Sequence, residues 1–270
     1  MNNKDYGMLA ALVLLAVFIW FRDTAWMSSS DDTLPILVAL PVFIWLGWPW
    51  QFQPEETFHF SLKRIVFIVL LFLVGIVAQN TLLLAIAWTY LLWSWLSQRL
   101  EPASLGSVLK LLILPIMAFP WITLDMQTLG WWFRLSGAWI TAHLYSLAGF
   151  DVLYSGTNIL IDQTPISVEA ACSGLNTLQS MLIAGSVVAY IILGETNRYW
   201  WNLPVLVLMA WIANTIRVIV ISGVALAFGR DFALGAFHTW GGWFILVLMF
   251  ASCWAIFQLQ EPKPAGNERS

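Results

Sequence analysis

Charge is what this chain lacks most. Only 10% of its 270 residues are Asp, Glu, Lys or Arg while 60% are hydrophobic, against roughly 25% charge in soluble domains, so a conventional water-soluble fold is excluded. No basic cluster exceeds the Lys63-Arg64 pair, which argues against nucleic acid as a partner because phosphate binding needs a basic stripe. Cys172 and Cys253 are the only cysteines, too few for a disulfide framework. Neither G-x-S-x-G nor H-E-x-x-H occurs, so the signatures of serine hydrolases and zinc proteases are missing. Nothing in the sequence calls for a cofactor or a bound metal. Linkers rich in Pro, Gly or Ser and internal repeats are also wanting, and a single integral domain over residues 1–260 is expected, followed by a polar cytoplasmic tail, 261–270.

What the chain has in abundance is apolar runs long enough to cross about 30 Å of hydrocarbon. They fall near Gly7 to Trp26, Leu34 to Trp50, Ile65 to Val77, Thr81 to Leu96, Val108 to Leu124, Ser173 to Leu193, Leu203 to Phe228 and Trp240 to Phe257. The expected fold class is therefore an all-α polytopic membrane protein of about eight transmembrane helices. The third and fourth runs are short and separated only by Gln79-Asn80-Thr81. The first follows Lys4 but exits through Phe21-Arg22-Asp23-Thr24 without a small-x-small cleavage site, and is read as a retained helix, not a leader.

Charge placement orients these spans. With both termini in the cytoplasm, the inner segments hold Lys4, Lys63, Arg64, Arg99, Lys110, Arg198, Lys263 and Arg269, and the outer ones only Arg22, Arg134 and Arg230. That bias satisfies the positive-inside rule. It turns Cys172 and His238 outward, and the expected location is the cytoplasmic (inner) membrane.

Between the fifth and sixth runs the stretch from Asp125 to Ala171 stays outside, and loops this long usually carry structure or function of their own. Trp131, Trp132, Leu135, Trp139, Ile140, His143 and Leu147 form an approximately helical stripe, as in a helix lying in the membrane interface. Val152-Leu153-Tyr154 and Ile159-Leu160-Ile161 flank Ser155-Gly156-Thr157-Asn158 and read as a short hairpin. Both elements lead to Cys172, either roofing a site there or merely anchoring the chain at the interface.

Three residues on consecutive spans carry chemistry. Cys172, in V-E-A-A-C-S-G-L-N, precedes Ser173-Gly174 and opens the sixth run, where unpaired N–H groups and the helix dipole favour a thiolate. Cys253, in Ala251-Ser252-Cys253-Trp254, reads instead as an inert small hydrophobe. Arg217 lies about 21 Å above Leu203 at 1.5 Å per residue, too deep to be cheap unless it faces the bundle interior. Asn214 shares its face, three residues earlier. His238, in Phe237-His238-Thr239-Trp240-Gly241-Gly242-Trp243, opens the last run; imidazole, with an unperturbed pKa of about 6.5, suits proton transfer. Gly241 and Gly242 admit close approach of a helix or a substrate backbone.

The set V-E-A-A-C-S-G-L, then N-T-I-R, then F-H-x-x-G-G-W resembles the exosortase and archaeosortase family of membrane-embedded cysteine transpeptidases, over roughly Val168 to Phe244. The resemblance implies Cys172 as nucleophile with Arg217 and His238 as the essential arginine and histidine, supported by Asn214, Ser173, Gly174 and Asn176. It further implies an exported protein substrate whose carboxy-terminal sorting signal joins a short motif, often Pro-Glu-Pro, to a transmembrane helix and a basic end, with membrane lipids around it and a link to surface attachment or exopolysaccharide. Two departures stand out: Asn176 occupies a position where many members have arginine, and Glu169 lies three residues before Cys172. A thiol acyltransferase would use the same cysteine chemistry. The contrasting reading is a multispanning transporter or envelope polysaccharide assembly subunit, which would stack polar residues through the full membrane depth and be indifferent to Cys172.

Overall fold

A computed structural model describes residues 3–28, 30–53, 59, 61–167 and 173–261. It is predominantly helical, in two compact units, Met1–Leu129 and Gly130–Ser270. Among the described residues, four helices are long and apolar enough to cross a membrane: Lys4–Arg22, Leu175–Leu193, Arg198–Phe228 and Trp240–Gln260. Polar tail residues 262–270 lie outside the described residues.

The first unit is built around α1 (Asn3–Arg22) and α4 (Thr81–Arg99), which run antiparallel along their whole length. At one end Arg99 Nη2 donates to Asp5 Oδ2 at 3.1 Å, with Trp95 Nε1 donating to the other carboxylate oxygen. Midway, Trp88 Nε1 donates to the Leu12 carbonyl; at the far end Arg22 reaches the Thr81 hydroxyl. The brief separation between the third and fourth runs is a true helix boundary. α3 (Leu62–Val77) stops before Gln79, which takes a left-handed φ of 52°, and the Asn80 side chain caps α4 by accepting from Leu83 N at 2.9 Å. This cap satisfies one of the orphan N–H groups of a helix start. The second run forms α2 (Ser30–Leu46), containing Pro35 and Pro41.

The fifth run departs from expectation, because it is not one helix. It breaks into α5 (Pro102–Leu111), α6 (Ile113–Met117) and α7 (Trp121–Asp125). Pro115 and Pro120 lack the N–H that continues a helix, and their rings crowd the preceding turn. The broken segment still returns over the length of α4. It starts from Leu100, just past the end of α4, and finishes at Asp125, whose carboxylate accepts from Leu82 N at the start of α4.

In the second unit α9 (Leu175–Leu193), α10 (Arg198–Phe228), α11 (Arg230–Leu234) and α12 (Ala236–Gln260) pack together. The start of α10 and the end of α12 are pinned by a reciprocal amide pair: Asn202 Nδ2 donates to Gln260 Oε1 at 2.8 Å, and Gln260 Nε2 donates to Asn202 Oδ1 at 3.1 Å.

The connecting region is helical then sheet, as expected, with two differences. The hairpin gains a partner: β1 (Val152–Ser155), β2 (Asn158–Ile161) and β3 (Thr164–Ser167) form an antiparallel sheet in the order β1-β2-β3. The second tight turn uses Asp162 and Gln163 at positive φ, which no glycine announces. The aromatic helix α8 (Gln127–Leu147) also carries a second face, Gly130, Gly137, Ala138, Thr141 and Ala142, all buried. It meets α10 where Trp211 Nε1 donates to Ser136 Oγ and Tyr145 OH donates to the Ile219 carbonyl. Small residues let helix backbones approach, while Trp131, Trp132 and Trp139 stay exposed on the opposite side.

Candidate active site

The site grows from the packing of three helix segments onto α10. Gly174 is the N-cap of α9 and is left-handed, φ 74°, a conformation that glycine adopts without steric cost. Its missing side chain is filled by Asn214: a Cβ built on Gly174 would stand 2.7 Å from Asn214 Cγ. Asn214 is only 1% exposed, and among the described residues its Oδ1 and Nδ2 have no hydrogen-bond partner. Buried amides are rarely left so, which singles out this one within the cluster.

One turn further along α10 lies Arg217, partly buried. Its guanidinium rests on α12, where a Cβ at Gly242 would come within 3.1 Å of Cζ. Leucine or valine there would displace the cation, so Gly242 makes room for it. His238 precedes Gly242 by one turn on the same helix, which places its backbone beside the turn that Arg217 touches. Measured from the Asn202–Gln260 pin, Arg217 lies about 22 Å along α10 and Gly242 about 27 Å along α12 at 1.5 Å per residue. The two levels agree within one helical turn.

Across the start of α9, Gly130 of α8 closes on the same point. A Cβ there would stand 3.1 Å from both Ser173 Cβ and Leu175 Cδ1. Ser173 in turn accepts from Leu175 N at 3.4 Å. The sheet packs next to this cluster: Ile159, Ile161 and Ile166 bury against Val218, Ile221 and Ala225, immediately beyond Arg217 on α10. β3 then leads into the segment that carries Cys172.

The sequence-derived residues are thus distributed as follows. Ser173, Gly174, Asn214 and Arg217 converge, and the backbone of His238 joins them. Asn176 does not, being exposed on α9 while its neighbours Leu175 and Leu178 are buried. Cys172 and Glu169 lie outside the described residues, as does the side chain of His238. Cys253 is fully buried in the lower part of α12, in keeping with an inert hydrophobe.

A family comparison matches the model of the transmembrane exosortases over residues 26–255. The chain belongs to the transmembrane exosortase family. No curated protein and no solved structure matches it. The matched region contains α2 to α11 and most of α12, so both Gly-mediated contacts and the segment around Cys172 fall inside this exosortase domain. Sequence reasoning missed Gly130, whose fit against Ser173 was hidden under the aromatic pattern of α8. It also missed Gln179, 2% exposed and one turn below Leu175 on α9, although a glutamine inside an apolar run was a visible signal.

Proposed function

We propose that this exosortase is a cysteine transpeptidase or peptidase that cuts the carboxy-terminal sorting signal of exported proteins at the outer face of the cytoplasmic membrane. The observation that carries the reading is the packing on α10: Gly174, two residues after Cys172, packs on Asn214, and Gly242, one turn after His238, packs on Arg217. This packing supports a reading in which the nucleophile and the proton donor meet the Arg217 cation near one level along α10. The level suits the substrate. If the Asn202–Gln260 pin marks the cytoplasmic boundary, Arg217 stands in the outer half of a hydrocarbon layer of about 30 Å. A tail anchored by its own transmembrane helix presents its scissile bond there.

In this mechanism the Cys172 thiolate attacks the peptide carbonyl, and the C–N bond breaks to leave a thioester. The departing amine takes its proton from the His238 imidazolium. Arg217 stabilises the thiolate and then the oxyanion, the larger electrostatic contribution in acyl transfer. The buried amide of Asn214 supplies a donor toward the oxyanion and an acceptor toward the substrate N–H. An amine or hydroxyl acceptor, or water, then attacks the thioester, and His238 removes its proton.

The topology belongs to the same proposal. The four long helices, with α2, α3, α4 and the broken α5–α7 segment, make eight crossings and leave both termini cytoplasmic. A polysaccharide assembly or transport role gains no support from the site, whose polar groups gather at one depth of α10.

The test is processing of a tagged exported reporter ending in a motif, a hydrophobic helix and a basic cluster. Cys172→Ala, Arg217→Gln and His238→Gln are expected to insert normally and to abolish processing. Wild-type processing by Cys172→Ala would overturn the assignment.

A further inference from the structure

Arg134 is a cation that the mechanism does not use. Arg134 lies on α8 exactly one turn past Gly130, which touches Ser173 and Leu175. Side chains on a helix lean toward its N-terminus, so Arg134 covers the turn that carries Gly130 and with it the start of α9. It is partly buried. Its Nε is buried without a hydrogen-bond partner, and among the described residues the ion pair is Arg99 with Asp5, far along the chain in the other unit. A buried guanidinium N–H left without an acceptor is costly, and a carboxylate that reached it would remove that cost. Nothing in the packing of α8 needs a charge there, because the helix is held by its glycine and alanine face.

From this placement we infer that Arg134 is a specificity-determining residue of the site, pairing with a carboxylate side chain of the exported chain beside the scissile bond. The inference rests on the proposed function above and assigns the recognition of charge to a different residue from the chemistry. Arg217 belongs to α10 and rests on Gly242 of α12; Arg134 belongs to α8, one turn from the Gly130 that meets Ser173. Arginine suits the task, since its planar fork meets a carboxylate with two parallel hydrogen bonds. The exposed Asn176 supplies no charge that would compete for the same group.

Two reporters test it. Each carries a neutral stretch outside its transmembrane helix with a single residue changed, glutamate in one and glutamine in the other. Wild type is expected to process the glutamate reporter faster by roughly 10- to 100-fold in kcat/KM, the usual range for one charge-assisted contact. Arg134→Gln is expected to erase that preference while leaving the glutamine reporter unchanged. Arg134→Lys retains part of it, and Arg134→Glu shifts preference to a lysine reporter. Equal loss on both reporters, or no loss on either, overturns the assignment of Arg134. Cys172→Ala is run alongside: processing that survives it overturns the cysteine reading and this inference together, whereas processing that needs Cys172 but ignores Arg134 overturns only the latter.

Discussion

Replacing Gly174 with alanine tests the contact on which the site is built. The cost has two parts. A non-glycine residue held at φ 74° pays about 1–2 kcal/mol for the left-handed conformation. The new Cβ would also stand 2.7 Å from Asn214 Cγ, well inside the roughly 3.5–4.0 Å of an ordinary carbon contact, and Asn214 is buried and cannot swing away. Overpacking of that kind adds about 1–3 kcal/mol. Gly156 provides the control, since it too is left-handed, φ 63°, but its Cβ would meet nothing within 4 Å. Gly156→Ala should therefore show the backbone cost alone. Thermal unfolding in detergent is expected to place Gly174→Ala below Gly156→Ala, and reporter processing to fall at least tenfold in the former only, since about 1.4 kcal/mol of displacement at the site is a factor of ten. Equal behaviour of the two variants would refute the claim that Gly174 and Asn214 pack as a unit that positions the Cys172 segment.

Three further outcomes follow from the geometry. Asn214→Leu removes two unpartnered buried polar atoms, so the protein should be as stable as wild type or more so by about 1–3 kcal/mol, yet processing should collapse; unchanged processing would show the amide to be idle. Gly242→Leu should push the Arg217 guanidinium off α12 and lower kcat with insertion intact, which a membrane-topology assay and reporter kinetics would check together. Arg99→Ala strands the fully buried Asp5 carboxylate and should destabilise the first unit by about 3–5 kcal/mol, seen as a lower Tm; Arg99→Ala with Asp5→Asn should recover part of the loss.

Much of this was legible before the fold was known, and the reasons are physical. Composition alone called for lipid as solvent, and periodicity with spacing located Asn214 and Arg217 on one face of α10. The start of α9 falls within two residues of the sixth apolar run because Gly174, left-handed, is its N-cap. What stayed hidden were features set by partners and not by pattern. Pro115 and Pro120 were readable as breakers but were outweighed by the apolarity around them. β3 was missed as a strand because its turn uses Asp162 and Gln163 and its own Pro165 disfavours pairing, although that stretch did read as extended. α8 also has a small buried face, Gly130, Gly137 and Ala138, while the large indoles draw attention to its exposed side. Asn176, carried into the site by motif alone, proved exposed because the helix register of α9 turns it away from Leu175 and Leu178.

The central claim is that Cys172 forms a covalent acyl intermediate in a pocket shared with Arg217 and His238. Acid quenching of the protein during reporter turnover, followed by mass measurement of the peptide containing Cys172, tests it most directly. The account predicts the cleaved reporter fragment attached to Cys172 through a hydroxylamine-labile thioester, absent in Cys172→Ala and never found on Cys253. Reporter cleavage that proceeds with Cys172 unmodified at every quench time, and equally well in Cys172→Ala, would contradict it.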